Sequence, residues 1–148
     1  MQQALLSRME DLLYGDGKNY TVFIRSYGTD FIADLTIQEI VQRMIGDEAI
    51  IEDVRDVNFS EVERELRTGF GYSGDDNAGP AVTTLESSQF RVLLEEICEE
   101  AKLESHRSTG LKTFRFKDGH PAYPVFWDFA FLFIGDSKCE LLVGSSSD

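Results

Sequence analysis

A glycine-rich segment, TGFGYSGDDNAGP at residues 68–80, contains the spacing G-x-G-x-x-G, which can form a phosphate-binding loop. The glycines are Gly69, Gly71 and Gly74. A dinucleotide-binding loop of this type follows a strand and opens a helix, so that the pyrophosphate meets the positive end of that helix. Here the glycines follow a helical pattern, and no basic residue lies between Arg67 and Arg91. The sequence therefore predicts that these glycines end a helix and turn the chain, and that no nucleotide is bound.

The same segment matches part of a calcium-binding loop. Asp75, Asn77 and Glu86 occupy positions 1, 3 and 12 of an EF-hand register. However, Pro80 stands where that loop needs a glycine, and Gly79 replaces the ligand at position 5. We therefore expect neither calcium nor any cofactor.

Cysteine and histidine supply the remaining nucleophiles and metal ligands. Cys98 falls on the apolar face of a predicted helix and Cys139 in a predicted strand, so both are expected to be buried like small hydrophobic side chains. His106 and His120 lie in turn-like segments without a second ligand nearby, which disfavours a zinc site. The expectation is a protein that is not an enzyme.

Asp128 keeps a second class of function open. It lies within the aromatic segment VFWDFAFLFIG, where a carboxylate is unfavourable unless it is paired or hydrogen-bonded. A salt bridge or a capped turn is one explanation. The alternative is a small enzyme or ligand-binding domain whose site lies near the turn and strand at residues 118–128, with Asp128, His120 and Tyr123 as its residues.

Charge is the most unusual property of the chain, with 27 acidic residues against 14 Lys and Arg and a net charge of −13. Eight acidic residues and two arginines fall within residues 47–65, which we call the first acidic cluster. The second acidic cluster consists of Glu95, Glu96, Glu99, Glu100 and Glu104. Its members oppose the macrodipole near the end of a helix, by about 0.3–1 kcal/mol each, and several repel one another at i,i+4 spacing. A solvated face is the plain interpretation, but tolerated electrostatic strain also indicates function.

Such clusters steer a basic partner and repel nucleic acid and anionic membranes. We therefore expect a basic protein partner, with no nucleic acid and no membrane. Phe70 and Tyr72 are the expected aromatic anchors, because interface hot spots are rich in aromatic side chains. The full set of expected partner-binding residues is Asp47, Glu48, Glu52, Asp53, Asp56, Glu61, Phe70, Tyr72, Asp75, Asp76, Glu96, Glu99 and Glu100.

The sequence predicts both helices and strands, and these elements position the residues named above. Helical periodicity and capping signals predict helices at 3–14, at 36–46, at 60–69 and from near Thr84. Alternating and aromatic segments predict strands at 20–27, 111–117, 125–135 and 138–144, and residues 50–58 fit either a strand or the approach to a helix. The predicted fold is α+β, a single globular domain over residues 1–148. Its amphipathic helices pack on an antiparallel sheet that ends in a C-terminal three-strand meander.

Three local expectations follow from this pattern. Thr36 and Glu39 form a capping box, and Ser60 with Glu63 forms a second one. The strand at 125–135 is apolar on both faces, which predicts a central strand covered by helices. The terminal residues SSSD are expected to be frayed.

Composition narrows the location and the class of protein. Two cysteines outside any CxxC motif favour a reducing cytoplasm, and neither a long apolar run nor a basic leader sequence is present. In size, in acidity and in the ending YPVFWDFAFLF…CELLVGSSSD, the chain resembles small bacterial immunity proteins of polymorphic toxin systems. That resemblance implies a protein that neutralises a basic cognate toxin by covering its active site or substrate groove. A phage-encoded DNA-mimic inhibitor is a further alternative with the same acidic mechanism.

Overall fold

The computed structural model describes residues 1–14, 19–31, 33–74 and 77–148. Within them, five antiparallel strands form one sheet in the order β1-β5-β4-β3-β2. The strands are β1 (Thr21–Asp30), β2 (Ile50–Asp56), β3 (Gly110–Asp118), β4 (Trp127–Ile134) and β5 (Lys138–Ser147). Strands β3 to β5 form the predicted meander, and β1 and β2 add to its two sides.

The described part of the chain also contains five helices, which lie on both faces of the sheet. They are α1 (Gln3–Leu13), α2 (Ile37–Ile45), α3 (Phe59–Phe70), α4 (Val82–Leu85) and α5 (Ser88–Arg107). The predicted α1 is confirmed, as is α2, which begins at the Thr36–Glu39 capping box and ends before Gly46. The α+β prediction is therefore confirmed.

Strand β4 separates two hydrophobic cores. Phe129, Phe131 and Phe133 pack with side chains of α1, α3 and α5 on one face. Ala130 and Leu132 pack with side chains of α2 on the other. The prediction of a central strand with helices on at least one face is confirmed, and helices cover both of its faces.

A stack of aromatic rings runs along the first of these faces. The ring of Phe129 lies between those of Trp127 and Phe131, with centroids 5.7 and 5.4 Å away and interplanar angles of 7° and 17°. Gly144 of β5 lies opposite Phe129, and the ring occupies the space where a side chain at Gly144 would stand. The absence of a side chain at Gly144 thus makes room for the stack.

Helix α3 begins earlier than the sequence pattern predicts. Asn58, and not Ser60, is the N-cap residue: its side chain accepts from the N–H of Glu61, and the Glu61 carboxylate accepts from the N–H of Asn58. The residue before it already has a fixed partner, because the N–H of Val57 donates to the carbonyl of Leu111 in β3 at 3.1 Å. The end of β2 therefore sets where the helix starts.

The long helix begins later than predicted. A four-residue helix, α4, occupies the segment after Ala81, and α5 then begins at Ser88. Ser87 caps α5 by accepting from the N–H of Phe90 at 3.1 Å. A serine three residues after Thr84 therefore takes the capping position.

The terminal serines are not frayed. Ser145, Ser146 and Ser147 continue β5 and pair with Phe23, Val22 and Thr21 of β1. Ser145 and Ser146 are each 1% exposed. Neighbouring strands on both sides hold the end of β5, which the local sequence does not reveal.

Side chains from two helices form hydrogen bonds with backbone groups of both edge strands. On β1, the Gln3 side chain donates to the carbonyl of Ile24 and accepts from the N–H of Ser26, both at 3.1 Å. At the start of β2, Gln38 donates to the carbonyl of Ala49, just before the strand, at 2.6 Å and accepts from the N–H of Ile51 at 3.0 Å. Each glutamine amide thus makes the pair of hydrogen bonds that another strand would make.

Candidate protein-binding surface

The first acidic cluster spans the turn before β2, strand β2 itself and the first half of α3, and much of its charge is paired within the chain. Lys112 of β3 lies 2.6 Å from Asp56, and Arg115 lies 3.6 Å from Asp53. Arg55 reaches Glu61 at 3.1 Å. These basic side chains weaken the negative field that the local sequence predicts, although each exposed pair adds only about 0–1 kcal/mol of stability.

Asp47, Glu48 and Glu52 are the members of this cluster that the structure leaves without an ion pair to a described residue. Asp47 and Glu48 are exposed on the turn between α2 and β2. Glu52 is half-buried on the edge strand, opposite Arg115. This part of the cluster presents two freely accessible carboxylates.

The second acidic cluster lies on α5, and four positions at i, i+4, i+7 and i+11 spacing share its outward face. These residues, which we call the α5 ridge, are Val92, Glu96, Glu99 and Leu103. Their exposed fractions are 55% for Val92, 52% for Leu103 and, for the side chains, 48% for Glu96 and 66% for Glu99. The ridge therefore combines two apolar and two acidic side chains on one rigid element.

The charges of the ridge are only loosely compensated. Arg8 of α1 lies 3.6 Å from Glu96, and Lys102 lies 3.7 Å from Glu99. Both basic side chains are themselves well exposed, so these pairs are weak. Glu100, beside the ridge, accepts from the N–H of Gln2 at 2.8 Å. The negative charge of α5 remains accessible to a partner.

Arg67 of α3 joins the two acidic clusters. Its guanidinium lies 2.8 Å from Glu63 of the first cluster and 2.7 Å from Glu95 of the second. The hydrogen bonds from Arg67 lower the pKa of the Glu95 carboxyl. Two helices that carry like charge are thus held side by side by a shared guanidinium.

The expected aromatic anchors do not belong to this surface. Phe70 is fully buried, and its ring packs edge-on against Trp127 and Phe129, so the expectation that it contacts a partner is wrong. Tyr72 is half-buried and stacks on Phe126, with 5.5 Å between the centroids. Asp75 and Asp76 lie outside the described residues. In the sequence, helical periodicity places Phe70 close to an apolar stripe, and this pattern could have indicated that Phe70 is buried.

The glycine-rich segment ends α3, as predicted, with a difference in detail. Gly69 is buried inside the last turn of α3, where a side chain would contact the ring of Trp127. Gly71 is the C-cap residue, and its N–H donates to the carbonyl of Arg67 at 3.0 Å. Gly74 has φ +71°, a conformation that favours glycine. The loop follows a helix, which is the wrong order for a dinucleotide-binding loop.

Both thiols are buried, as the sequence predicts. Burial raises the pKa of the Cys98 thiol to about 11, and it also raises the pKa of Cys139. Since the thiolate is the nucleophilic form, neither cysteine has the environment of an activated nucleophile.

The residues of the alternative site are not gathered in one cavity. Tyr123 is 83% exposed. His120 packs edge-on against Phe116, and its Nδ1 accepts from the N–H of Ala122 at 3.0 Å. Burial lowers the pKa of His120, against the opposing charge of Asp128. Asp128 is exposed and lines a cleft whose walls include neither His120 nor Tyr123.

Among the described residues, no group of three or more His, Cys, Asp or Glu side chains is arranged to hold a metal ion. None of the described helices combines the length and the apolar character needed to cross a membrane.

Sequence reasoning missed the apolar half of the α5 ridge. Val92 and Leu103 interrupt the polar face of α5 at the same helical spacing as Glu96 and Glu99. That spacing was the available signal, but it stood out less than the run of glutamates.

Comparison of the chain with protein-family models, with curated proteins and with solved structures found no match.

Proposed function

We propose that this chain is a non-enzymatic binding protein of the cytoplasm that engages a basic protein partner through the α5 ridge. The partner class implied by the sequence resemblance is a cognate toxin domain, which the chain would neutralise by covering its active site or substrate groove. The observation that carries the proposal is the composition of the ridge, in which Glu96 and Glu99 lie between exposed Val92 and Leu103.

This composition is typical of a surface that binds protein. Exposed carboxylates raise the rate of encounter with a basic partner, whereas apolar side chains provide the contacts that slow dissociation. Val92 and Leu103 lie on the same helical face as the two glutamates, so a partner that meets the carboxylates can also contact both aliphatic side chains. Both kinds of residue stand on a 20-residue helix that is anchored by six buried side chains, so the ridge is rigid before binding.

The first acidic cluster has a smaller part in this proposal. Lys112, Arg115 and Arg55 pair with Asp56, Asp53 and Glu61, so a basic partner would compete with these side chains for three of its carboxylates. Asp47 and Glu48 remain accessible and lie on a different element from the ridge.

The test is affinity capture followed by association kinetics. The chain is immobilised, the retained proteins are eluted with salt, and any toxin domain encoded beside its gene is assayed in parallel. Association with the purified partner is then measured at roughly 0.05 M and 0.5 M salt, where screening differs strongly. For the variant E96K/E99K we expect the low-salt association rate to fall about tenfold or more.

The matched control is D47K/E48K, which makes the same change of charge on the turn between α2 and β2. We expect this control to change the association rate by no more than about twofold. Leu103→Ala should raise the dissociation rate and leave the salt dependence unchanged. Unchanged kinetics in E96K/E99K would refute the assignment of the ridge. Competition by double-stranded DNA for the same partner would support the DNA-mimic alternative.

A further inference from the structure

A cleft opens where strand β3 leaves strand β4. The two strands pair from Gly110 with Ile134 to Thr113 with Phe131. Beyond Thr113, β3 continues to Asp118 beside β2, whereas the first part of β4 pairs only with β5 among the described strands. The separation leaves a cleft of about 400 Å³, within the size range of small-molecule sites.

The inner wall of the cleft is apolar and fixed. Phe114 is 4% exposed and Phe129 5% exposed, and Ala130 lies beside them. The hydroxyl of Thr113 donates to the carbonyl of Ala130 at 2.9 Å and closes the narrow end of the opening. These groups are held by the core, so the inner wall of the cleft has a fixed shape.

Charged side chains surround the outer part of the cleft, and carboxylates outnumber guanidiniums. Arg55 lies 3.7 Å from Glu65, and Arg115 lies 3.6 Å from Asp53. Asp128 has no ion pair with any side chain in the described ranges. After internal pairing, one carboxylate beside an apolar wall remains uncompensated.

Burial is the main influence on the carboxyl of Glu65, and the two arginines near it act more strongly than the neighbouring carboxylates. Burial raises the pKa of its carboxyl, and the negative charges of Glu61 and Asp128 act in the same direction. Arg55 and Arg64 oppose this effect without cancelling it. A further cation in the cleft would relieve the repulsion between Glu65 and Asp128.

We infer that this cleft binds a guanidinium group, presented by an arginine side chain of the basic partner. A guanidinium is planar and weakly hydrated, so it can lie against an apolar wall, and it can donate to two carboxylates at once. An ammonium group gives only a point charge and is more strongly hydrated. The source of the arginine rests on the function proposed above, whereas the binding chemistry of the cleft does not.

The test uses a small probe and needs no partner. N-acetyl-arginine amide is titrated into ¹⁵N-labelled protein, and amide shifts are followed at residues 113–115 and 128–130. We expect saturable shifts with a dissociation constant of roughly millimolar size, and weaker binding of N-acetyl-lysine amide. N-acetyl-citrulline amide, which has nearly the same shape without the charge, should not bind.

The variant D128N should weaken binding of the arginine probe about tenfold, and Glu65→Gln should also weaken it. The matched control is D136N, at the exposed turn between β4 and β5, which should bind like the wild type. Equal binding of the citrulline probe, or unchanged binding by D128N, would overturn the inference.

These outcomes are separable from a failure of the proposed function. Loss of probe binding leaves the α5 ridge untouched, because E96K/E99K tests that surface independently. If the arginine probe binds as expected and E96K/E99K still associates normally with the partner, the ridge proposal fails and the cleft stands as a guanidinium site.

Discussion

Replacing Gly144 by alanine tests the packing of the aromatic stack. A side-chain carbon at Gly144 would stand 2.3 Å from Cζ of Phe129 and 2.8 Å from its two Cε atoms. The ring has little room to move aside, because Trp127 and Phe131 stack on its two faces and Phe70 meets it edge-on at 5.8 Å. The clash therefore has to be relieved by strain in the ring stack or in the sheet.

Forcing an extra methyl group into a packed core reduces the free energy of unfolding by about 1–3 kcal/mol. The confinement of Phe129 on three sides places G144A toward the upper part of that interval, at about 2–3 kcal/mol. A domain of this size loses about 2–4 °C in Tm per kcal/mol, so the expected decrease is about 4–12 °C.

Gly28→Ala is the matched control, because Gly28 lies on the adjacent strand β1. Outside the flanking residues, the nearest atom to its added carbon would be the carbonyl oxygen of Cys139, at an ordinary contact distance of 3.9 Å. We expect G28A to keep or slightly increase stability, since alanine restricts the unfolded chain by about 0.4–1 kcal/mol.

Urea unfolding followed by circular dichroism measures both variants, and equal m-values allow their midpoints to be compared. In an F129L background, G144A should cost less stability than in the wild type, because the smaller side chain removes the atoms that clash. A G144A midpoint within about 0.5 kcal/mol of the wild type would refute the packing argument.

Three further predictions concern other elements. Asn58→Ala should lower the free energy of unfolding by about 1 kcal/mol, whereas Ser60→Ala should change it little. Urea unfolding midpoints measure both variants. A larger loss in Ser60→Ala than in Asn58→Ala would show that Ser60 is the capping residue. Because burial raises the pKa of Cys98 to about 11 from an ordinary value of 9.0, its contribution to stability is constant below about pH 9 and declines as pH rises from there toward 11. Stability measured from pH 7 to pH 11 should show this decline in the wild type and a smaller one in Cys98→Ala. Gln38→Ala should reduce the free energy of unfolding by about 1–2 kcal/mol, because it leaves backbone groups of β2 without a partner. It should also increase self-association, measured by light scattering. A variant as stable and as monomeric as the wild type would contradict this role of Gln38.

The sequence best predicted those elements whose structure is determined by residues close together in the chain. The Thr36–Glu39 capping box and the apolar stripe behind it determine α2 within ten residues. The continuous apolar pattern around Phe131 likewise indicated a strand covered on both faces.

The errors have long-range causes. Asn58 and Ser60 each precede a glutamate by three residues, and the choice between them depends on a hydrogen bond from Val57 to Leu111 in β3. The terminal serines are polar and small, but Ser145 and Ser146 are buried because β5 lies between β1 and β4. Local composition contains neither of these partners.

The surface was predictable only in outline. The two acidic clusters are visible in the sequence, but the pairing of Asp56 with Lys112 joins residues 56 positions apart, and that of Arg67 with Glu95 joins residues 28 apart. The cleft beside Asp128 was out of reach for the same reason, since it depends on where two strands separate.

The glutamine side chains on the sheet edges also limit how a protein partner could bind there. Where Gln3 and Gln38 already satisfy the main chain, an incoming segment gains nothing by lying alongside as a sixth strand. At these positions a partner of the kind proposed would be recognised through side-chain chemistry, which depends on the spacing of its basic groups and tolerates a helical, looped or extended segment. A family of partners with unrelated folds but a shared pattern of arginines would be accommodated by such a molecule.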